Sequence, residues 1–425
     1  MRLFAQLADD PWSGISPSVY ETARLVALAP WLKGHAARVR YLLDAQHADG
    51  TWGGPGEYAL VPTLSAVDAL GRHPAARRGL EALRRLLSRP VKLPDTVAVE
   101  LIVPALAERL GVCTPFDPRP LHALRHRPLP DKLWHTLEIF GSRPEVVAVG
   151  GVVAASPAAT AVHLGVPRPG DSLRYLEAVQ DAHGGPVPAG VPVPLFERSW
   201  IVVALKAAGL DVPDAVTDEI AAAFGPRGAA GGPGLPADTD DTATALHALA
   251  LCDRPGPVGT LGRYREGRHF ACFPDERTPS TSTNAHALQA LRHDRALEEW
   301  LRDMQEPDGS WRDKWHASPY YATACVTNAL GGNEKAVDWV LATQRDDGAW
   351  GRWEGTYEET AYAIRILAWS GRDVTTAMTR GAKFLHGWGD RPHPPLWHDK
   401  DLYTPARIVQ AEGVAALHLA CAVSR

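Results

Sequence analysis

Gln46-His47-Ala48-Asp49-Gly50-Thr51-Trp52 returns as Gln305-Glu306-Pro307-Asp308-Gly309-Ser310-Trp311, and again as Gln344-Arg345-Asp346-Asp347-Gly348-Ala349-Trp350. All three read QxxDGxW. Each copy closes an apolar stretch of helical spacing and precedes a turn. A glutamine amide can satisfy backbone groups at a helix C-terminus, Asp-Gly makes the reversal, and the tryptophan packs back under the neighbouring helix. A worn copy begins at Gln180, with His183 for the Asp, Gly184 kept and Pro186 for the Trp; a further candidate spans 388–397. Copies beginning at 305, 344 and 388 are about 40 residues apart, room for two helices each. Helix pairs stacked at that period can close into an α/α barrel. The repeats indicate architecture, and no chemistry is assigned to them.

Working outward, apolar residues recur at helical spacing in segments such as 21–28, 36–46, 75–87, 199–208, 242–251, 284–291, 322–330 and 358–370, separated by Gly/Pro turns. Sustained strand alternation is scarce, and 147–154 is the one fair strand candidate. The chain reads as all-α. The repeat copies fall into an N-terminal and a C-terminal group with the Gly/Pro stretch 186–194 between them. This predicts two α/α-barrel domains, 1–190 and 191–425, with the first few residues packed on the second.

Composition narrows the function. The 425 residues suffice for a sizeable core, and 44 Lys+Arg against 49 Asp+Glu give a net charge of −5, the wrong sign for a nucleic-acid partner. Five scattered cysteines without a CxxC pair argue against a disulfide framework and fit a reducing, cytoplasmic location. The N-terminus meets Asp9-Asp10 too early for a signal peptide. No run of about 18 apolar residues suggests a membrane span.

Asp238-Thr239-Asp240-Asp241 follows the Gly/Pro-rich loop 225–236 and opens an alanine-rich helical run. Three carboxyls so close, at the mouth of an apolar segment, cannot all ionise cheaply, because like charges and burial both raise a carboxyl pKa. One acid should keep its proton at neutral pH and could protonate something as unreactive as an alkene. The structural alternative is an acidic helix N-cap.

QxxDGxW repeats combined with DTDD resemble the class II terpene cyclases, and nearly end to end the chain is similar to the bacterial class II diterpene cyclases. Carrying the resemblance are 15–23 (ISPSVYETA), 282–286 (STNAH), 311–316 (WRDKWH) with Tyr320-Tyr321, 358–362 (EETAY), and 395–403 (PLWHDKDLY). It implies a paired-barrel (βγ) arrangement and protonation-initiated bicyclisation of geranylgeranyl diphosphate with the diphosphate retained. Farnesyl diphosphate is the alternative substrate, because the chain is shorter than relatives somewhere between Leu110 and Asp240.

Residue by residue, the resemblance implies Asp240 as general acid. Asp238 and Asp241 would hold its proton, Asn284 would donate a hydrogen bond to it, and His286 would tune the same network. Trp315, Tyr320, Tyr321, Trp397 and Tyr403 would line a dry pocket whose π faces tolerate positive charge. The terminating base is left open among His286, Tyr403, His316 and a water. Lys314 and Lys400 are candidates for the diphosphate. Relatives carry an acidic EDxxS-like segment associated with Mg2+; here Glu57 is kept, and Tyr58 replaces the second acid.

Competing readings fail on the residues. A class I terpene synthase needs DDxxD, which neither Asp240-Asp241 nor Asp346-Asp347 begins. A squalene-type cyclase would be longer, with more repeats and an apolar docking patch. A prenyltransferase-like subunit would need a zinc set that Cys252 and Cys325 do not supply, and a non-enzymatic barrel module would not need three clustered acids.

Overall fold

The computed structural model describes residues 2–423. Two rings of helices organise the chain. In the first, Val19–Leu28, Leu60–Leu70, Val99–Leu110, the 3-10 segment Asp131–Ile139 and Pro157–Leu164 pack in sequence, and the last returns to the first. In the second, Pro194–Ala207, Thr239–Leu251, Thr281–Leu291, Pro319–Ala329, Tyr357–Ala368 and Ala406–Val423 do the same, with Ala406–Val423 against Pro194–Ala207 closing the ring. Intervening helices such as Pro74–Leu87, Arg295–Asp303 and Glu334–Ala342 pack outside. The all-α double α/α barrel read from the repeat is what the chain forms. Phe4 and Leu7 of Arg2–Asp9 join the apolar core of the second ring, as expected of the first residues.

Local chemistry starts the helices. Ser18, Ser156, Asp238, Ser280, Asp294, Ser318, Asn333 and Thr356 each precede a helix and accept a hydrogen bond from a backbone N–H two or three residues on.

All three QxxDGxW copies make one set of bonds. Trp52, Trp311 and Trp350 are fully buried, and their indoles donate to the carbonyls of Leu42, Leu301 and Val340. Their backbone N–H groups donate to Thr63, Thr323 and Thr360. Gln46, Gln305 and Gln344 donate to the carbonyls of Gly50, Gly309 and Gly348, closing the turn. Those glycines have φ of +90°, +97° and +90°, and a Cβ there would stand 2.8, 2.4 and 2.7 Å from the carbonyls of Arg78, Lys335 and Arg380. Only glycine fits, on conformation and on space.

Two readings change. Residues 147–154 form no strand: Val149 and Val152 pair across a tight reversal, because Gly150 and Gly151 (φ +58° and +87°) turn the chain back at once. The 18-residue helix Ala406–Val423 is long and apolar enough by composition to cross a membrane, which the sequence reading passed over. Half of it is buried in the second ring, where Arg407 pairs with Glu197 and Glu412 with Arg365. The strands that do form are two-residue hairpins, Arg265–Glu266 with His269–Phe270, and Trp397–His398 with Leu402–Tyr403.

Candidate active site

Between the rings lies a cavity of about 210 Å³. The first domain contributes Val97, Lys132, His135 and Ala154; the second contributes the acid cluster, Trp200, Trp315, Trp397 and Tyr403.

Asp238 is a helix N-cap and a member of an acid cluster at once. Its Oδ1 accepts from the Asp241 N–H at 2.7 Å, which fixes the first turn of Thr239–Leu251. The Asp238 and Asp241 side chains also hydrogen-bond to each other. Two carboxyl groups can do so only if one carries a proton. Burial, then Asp241 and Asp240, push the Asp238 carboxyl well above the ordinary range. Burial and Asp240 push Asp241 up to about 7. The shared proton therefore persists at neutral pH.

Asp240 points the other way. Its Oδ1 meets His286 Nδ1 at 2.7 Å, with the two side chains 15% and 8% exposed. The His286 ring also bonds the Cys325 sulfur. Burial works against the imidazolium, but Asp240 raises it, and the pKa stands at about 10. Trp200 sits edge-on to His286 at 5.3 Å and shares the cavity wall with Asp240.

Gly231 explains part of the Gly/Pro loop. A Cβ there would stand 2.6 Å from Asp241 Oδ2, and the Gly231 N–H hydrogen-bonds Asp241. The backbone is not left-handed at this position, so the requirement is space alone. Gly231→Ala is expected to lower kcat on the order of 10²-fold by displacing Asp241, with the far-UV circular dichroism unchanged; turnover at the wild-type rate would refute it.

Several expectations need correction. Asn284 gives the acid no hydrogen bond: its Oδ1 accepts from Phe270 N–H and its Nδ2 donates to the carbonyls of Phe270 and Ser280. Both ends of the amide tie the hairpin to the helix, and none is left for Asp240. Lys400 is 1% exposed and paired with Glu21 and Glu138, so its ammonium cannot meet a diphosphate. Lys314 is held by Glu276 and the Thr278 carbonyl, off the cavity wall.

Of the aromatic candidates, Trp315, Trp397 and Tyr403 line the cavity. Tyr320 packs tilted against Trp339, ring centroids 4.5 Å apart. Tyr321 and His316 stand behind Trp397, centroids 4.8 and 5.2 Å from it. Tyr321 accepts from Trp200 Nε1, and His316 is spent on Glu358 and the Ser318 N–H. These three support the wall rather than form it. Consecutive helical residues point about 100° apart, so neighbouring tyrosines cannot share one face.

Glu57 belongs to no metal-binding group of the described residues. Among the described residues no group of three or more His, Cys, Asp or Glu side chains could hold a metal ion. Tyr58, in place of the second acid, is buried, and its hydroxyl lies 3.1 Å from His398 Nε2 and 3.4 Å from Arg352 Nη1. The residues present do not fit a Mg2+ site.

His135, Asp399, Lys132, Phe196, Trp200, Cys272 and Phe273 also line the cavity and were missed. Asp399 and the aromatic Trp397 belong to the matched block 395–403, the one local signal that could have found any of them.

A double α/α barrel with a proton-holding acid cluster in an aromatic cleft between its rings is the arrangement of a class II terpene cyclase. Residues 238–387 match the squalene-hopene cyclase C-terminal domain family. The chain is 47% identical to the ent-copalyl diphosphate synthase of Streptomyces sp. (strain KO-3988), covering 97% of this chain and 94% of that protein. It is 38% identical to the labda-7,13-dienyl diphosphate synthase of Streptomyces clavuligerus, covering 98% and 91%. The structure of ent-copalyl diphosphate synthase from Streptomyces platensis superposes with a TM-score of 0.92 at 41% identity, covering 99% and 98%. The chain belongs to the bacterial class II diterpene cyclases. It is accordingly an enzyme of the isomerase type, and its diterpene-forming relatives do not favour the drimane-forming farnesyl alternative.

Proposed function

We propose that the enzyme converts geranylgeranyl diphosphate to a bicyclic, copalyl-type diphosphate of labdane or rearranged halimane or clerodane skeleton, with the diphosphate retained. The observation that carries this reading is the Asp240–His286 pair opening into an aromatic cavity. His286 holds Asp240 Oδ1, which leaves Oδ2 to carry a proton into the cavity. The His286 N–H on one oxygen fixes the carboxyl in place and balances the charge left on it once the proton has gone. The proton goes to the terminal alkene, and a tertiary cation forms at the adjacent carbon. Two further alkenes attack in turn and close a decalin, each transferring the positive charge onward. Trp200, Trp315, Trp397 and Tyr403 offer π faces to that charge and keep water out. Asp238 and Asp241, sharing their own proton, place acid rather than full negative charge beside Asp240.

The diphosphate would sit at the mouth, where Lys132 lines the cavity and donates to the carbonyls of Pro274 and Asp275. No step is assigned to Mg2+, because Tyr58 fills the place its second carboxylate would need. Lys132→Ala is expected to raise KM about tenfold, roughly 1.4 kcal/mol of binding, with kcat changed far less; an unchanged KM would remove Lys132 from the anion site.

Residues 1–190 and 191–425 are the two domains in this reading, each supplying one wall of the cleft. The five cysteines, all free thiols, suit a cytoplasmic setting. The reading is tested by incubating purified protein with geranylgeranyl and farnesyl diphosphates, followed by phosphatase treatment and gas chromatography–mass spectrometry. A bicyclic C20 alcohol appearing only after phosphatase supports it. No cyclised C20 product would overturn it.

A further inference from the structure

The cation left after the second ring closure must lose a proton, and on the reading above something in the cavity must take it. Each side chain offered by the sequence is already engaged. His286 is bound to Asp240 and carries its proton. His316 lies behind the wall on Glu358. Tyr403 is a partly buried phenol whose pKa desolvation and nearby carboxylates push well up, so its oxygen keeps its hydrogen. His398 lines the cavity, but its Nδ1 meets the Lys314 carbonyl at 2.7 Å and its Nε2 the Tyr58 hydroxyl at 3.1 Å.

The same cavity is lined by a second ionisable pair. His135 Nδ1 is 2.7 Å from the Ala154 carbonyl and its Nε2 2.8 Å from Asp399 Oδ1. Both partners are acceptors, so both ring nitrogens donate, and His135 is an imidazolium without a free lone pair. It cannot be the base. Asp399 can. Its Oδ1 accepts from His135 and from the Lys400 N–H, while Oδ2 takes no hydrogen bond among the described residues. Burial opposes ionisation, but His135 and Lys400 outweigh it and hold the carboxyl below the ordinary range. The approach to Oδ2 is kept clear by Gly190, where a Cβ would stand 3.4 Å from that oxygen and 3.5 Å from His135 Cε1.

We propose that Asp399 is the terminating base, taking the final proton on Oδ2, with His135 as the positioning residue that fixes the carboxylate. A C–H bond next to the cationic carbon breaks, its electron pair becomes the new alkene, and the proton passes to Oδ2, to be returned to solvent when product leaves. A carbocation's neighbouring protons are so acidic that a weak, well-placed carboxylate suffices; position then decides which proton is lost. This rests on the cyclase reading but is tested separately from it.

The experiment is product analysis of wild type, Asp399→Asn, His135→Gln and Gly190→Ala, scoring substrate consumption apart from product identity. Asp399→Asn is expected to go on consuming geranylgeranyl diphosphate and forming bicyclic C20 skeletons. The share of the wild-type diene should fall on the order of tenfold or more, replaced by isomeric dienes and hydroxylated bicycles. His135→Gln should shift the product spectrum in the same direction, a change that a purely structural role would not produce. Gly190→Ala leaves the carboxylate in place and crowds its approach, so it should shift the spectrum too, and it decides the matter if Asp399→Asn does not fold. An unchanged spectrum overturns the proposal, as does a folded Asp399→Asn that consumes no substrate, or a hydroxylated product from the wild type. Absence of any bicyclic C20 product from the wild type would instead overturn the cyclase reading itself.

Discussion

Asp240→Asn abolishes cyclisation while the protein folds as before. Asparagine keeps the shape of the side chain and an oxygen that can accept from His286 Nδ1, now 2.7 Å from Asp240 Oδ1. What it lacks is the transferable proton. General acids are worth about 10²–10⁴-fold, and here no other group can start the reaction. Asp238 is committed to the helix cap and to Asp241, so neither neighbour can take over. A fall in turnover of about 10³-fold or more is expected, with the melting temperature within a few degrees of wild type. Residual cyclisation above a tenth of wild type would remove Asp240 from the role. The pH profile offers a second check. Burial and Asp240 raise Asp241 to about 7, so above that pH Asp241 adds a full negative charge beside Asp240 and the pair keeps only the proton on the Asp238 side. The rate in the wild type should hold on the acid side and decline as pH rises through about 7.

The architecture was legible because its signal is local. QxxDGxW packs a turn, a buried indole and a helix end into seven residues, and Trp52, Trp311 and Trp350 make the same bonds in all three places. The acid cluster was legible for the same reason: its three carboxyls are sequence neighbours. What the sequence could not order is the second ionisable pair in the cavity. His135 and Asp399 meet across 264 positions, and nothing near either one announces the other. Charge type alone misled at Lys400, which sits beside Asp399 in the same hairpin yet turns into the domain junction rather than the cleft. Asn284 misled in a related way. It lies one helical turn after the N-cap Ser280 and spends its amide on the Ser280 and Phe270 backbone, holding the hairpin that carries Ala271 and Cys272 against the acid helix through the Thr239 hydroxyl and the Ala271 carbonyl.

Lys400→Met should cost stability rather than affinity. The ammonium is 1% exposed and meets Glu21 and Glu138, which are themselves 1% and 0% exposed, and it also donates to Ser156. Glu21 and Ser156 belong to the first ring, and Lys400 to the hairpin of the second, so the cluster bolts the two walls of the cleft together. Methionine fills the volume of the stem but leaves two buried carboxylates without their cation, a change that typically costs about 3–5 kcal/mol. The pH dependence gives the sign. Burial raises Glu21 from 4.5 to about 7 in the wild type, although Lys400 opposes that rise. Without Lys400 the carboxyl must rise further, so the folded state binds more protons than the unfolded state from about pH 4.5 up to that raised value. Stability then falls as pH increases. The deficit of the variant should be smallest near pH 5 and grow through neutrality, as read from denaturant melts at several pH values. Replacing Glu21 by Gln in the same chain should recover part of the loss at neutral pH, since it removes one of the stranded charges. A variant of wild-type stability with a raised KM would instead return Lys400 to the substrate.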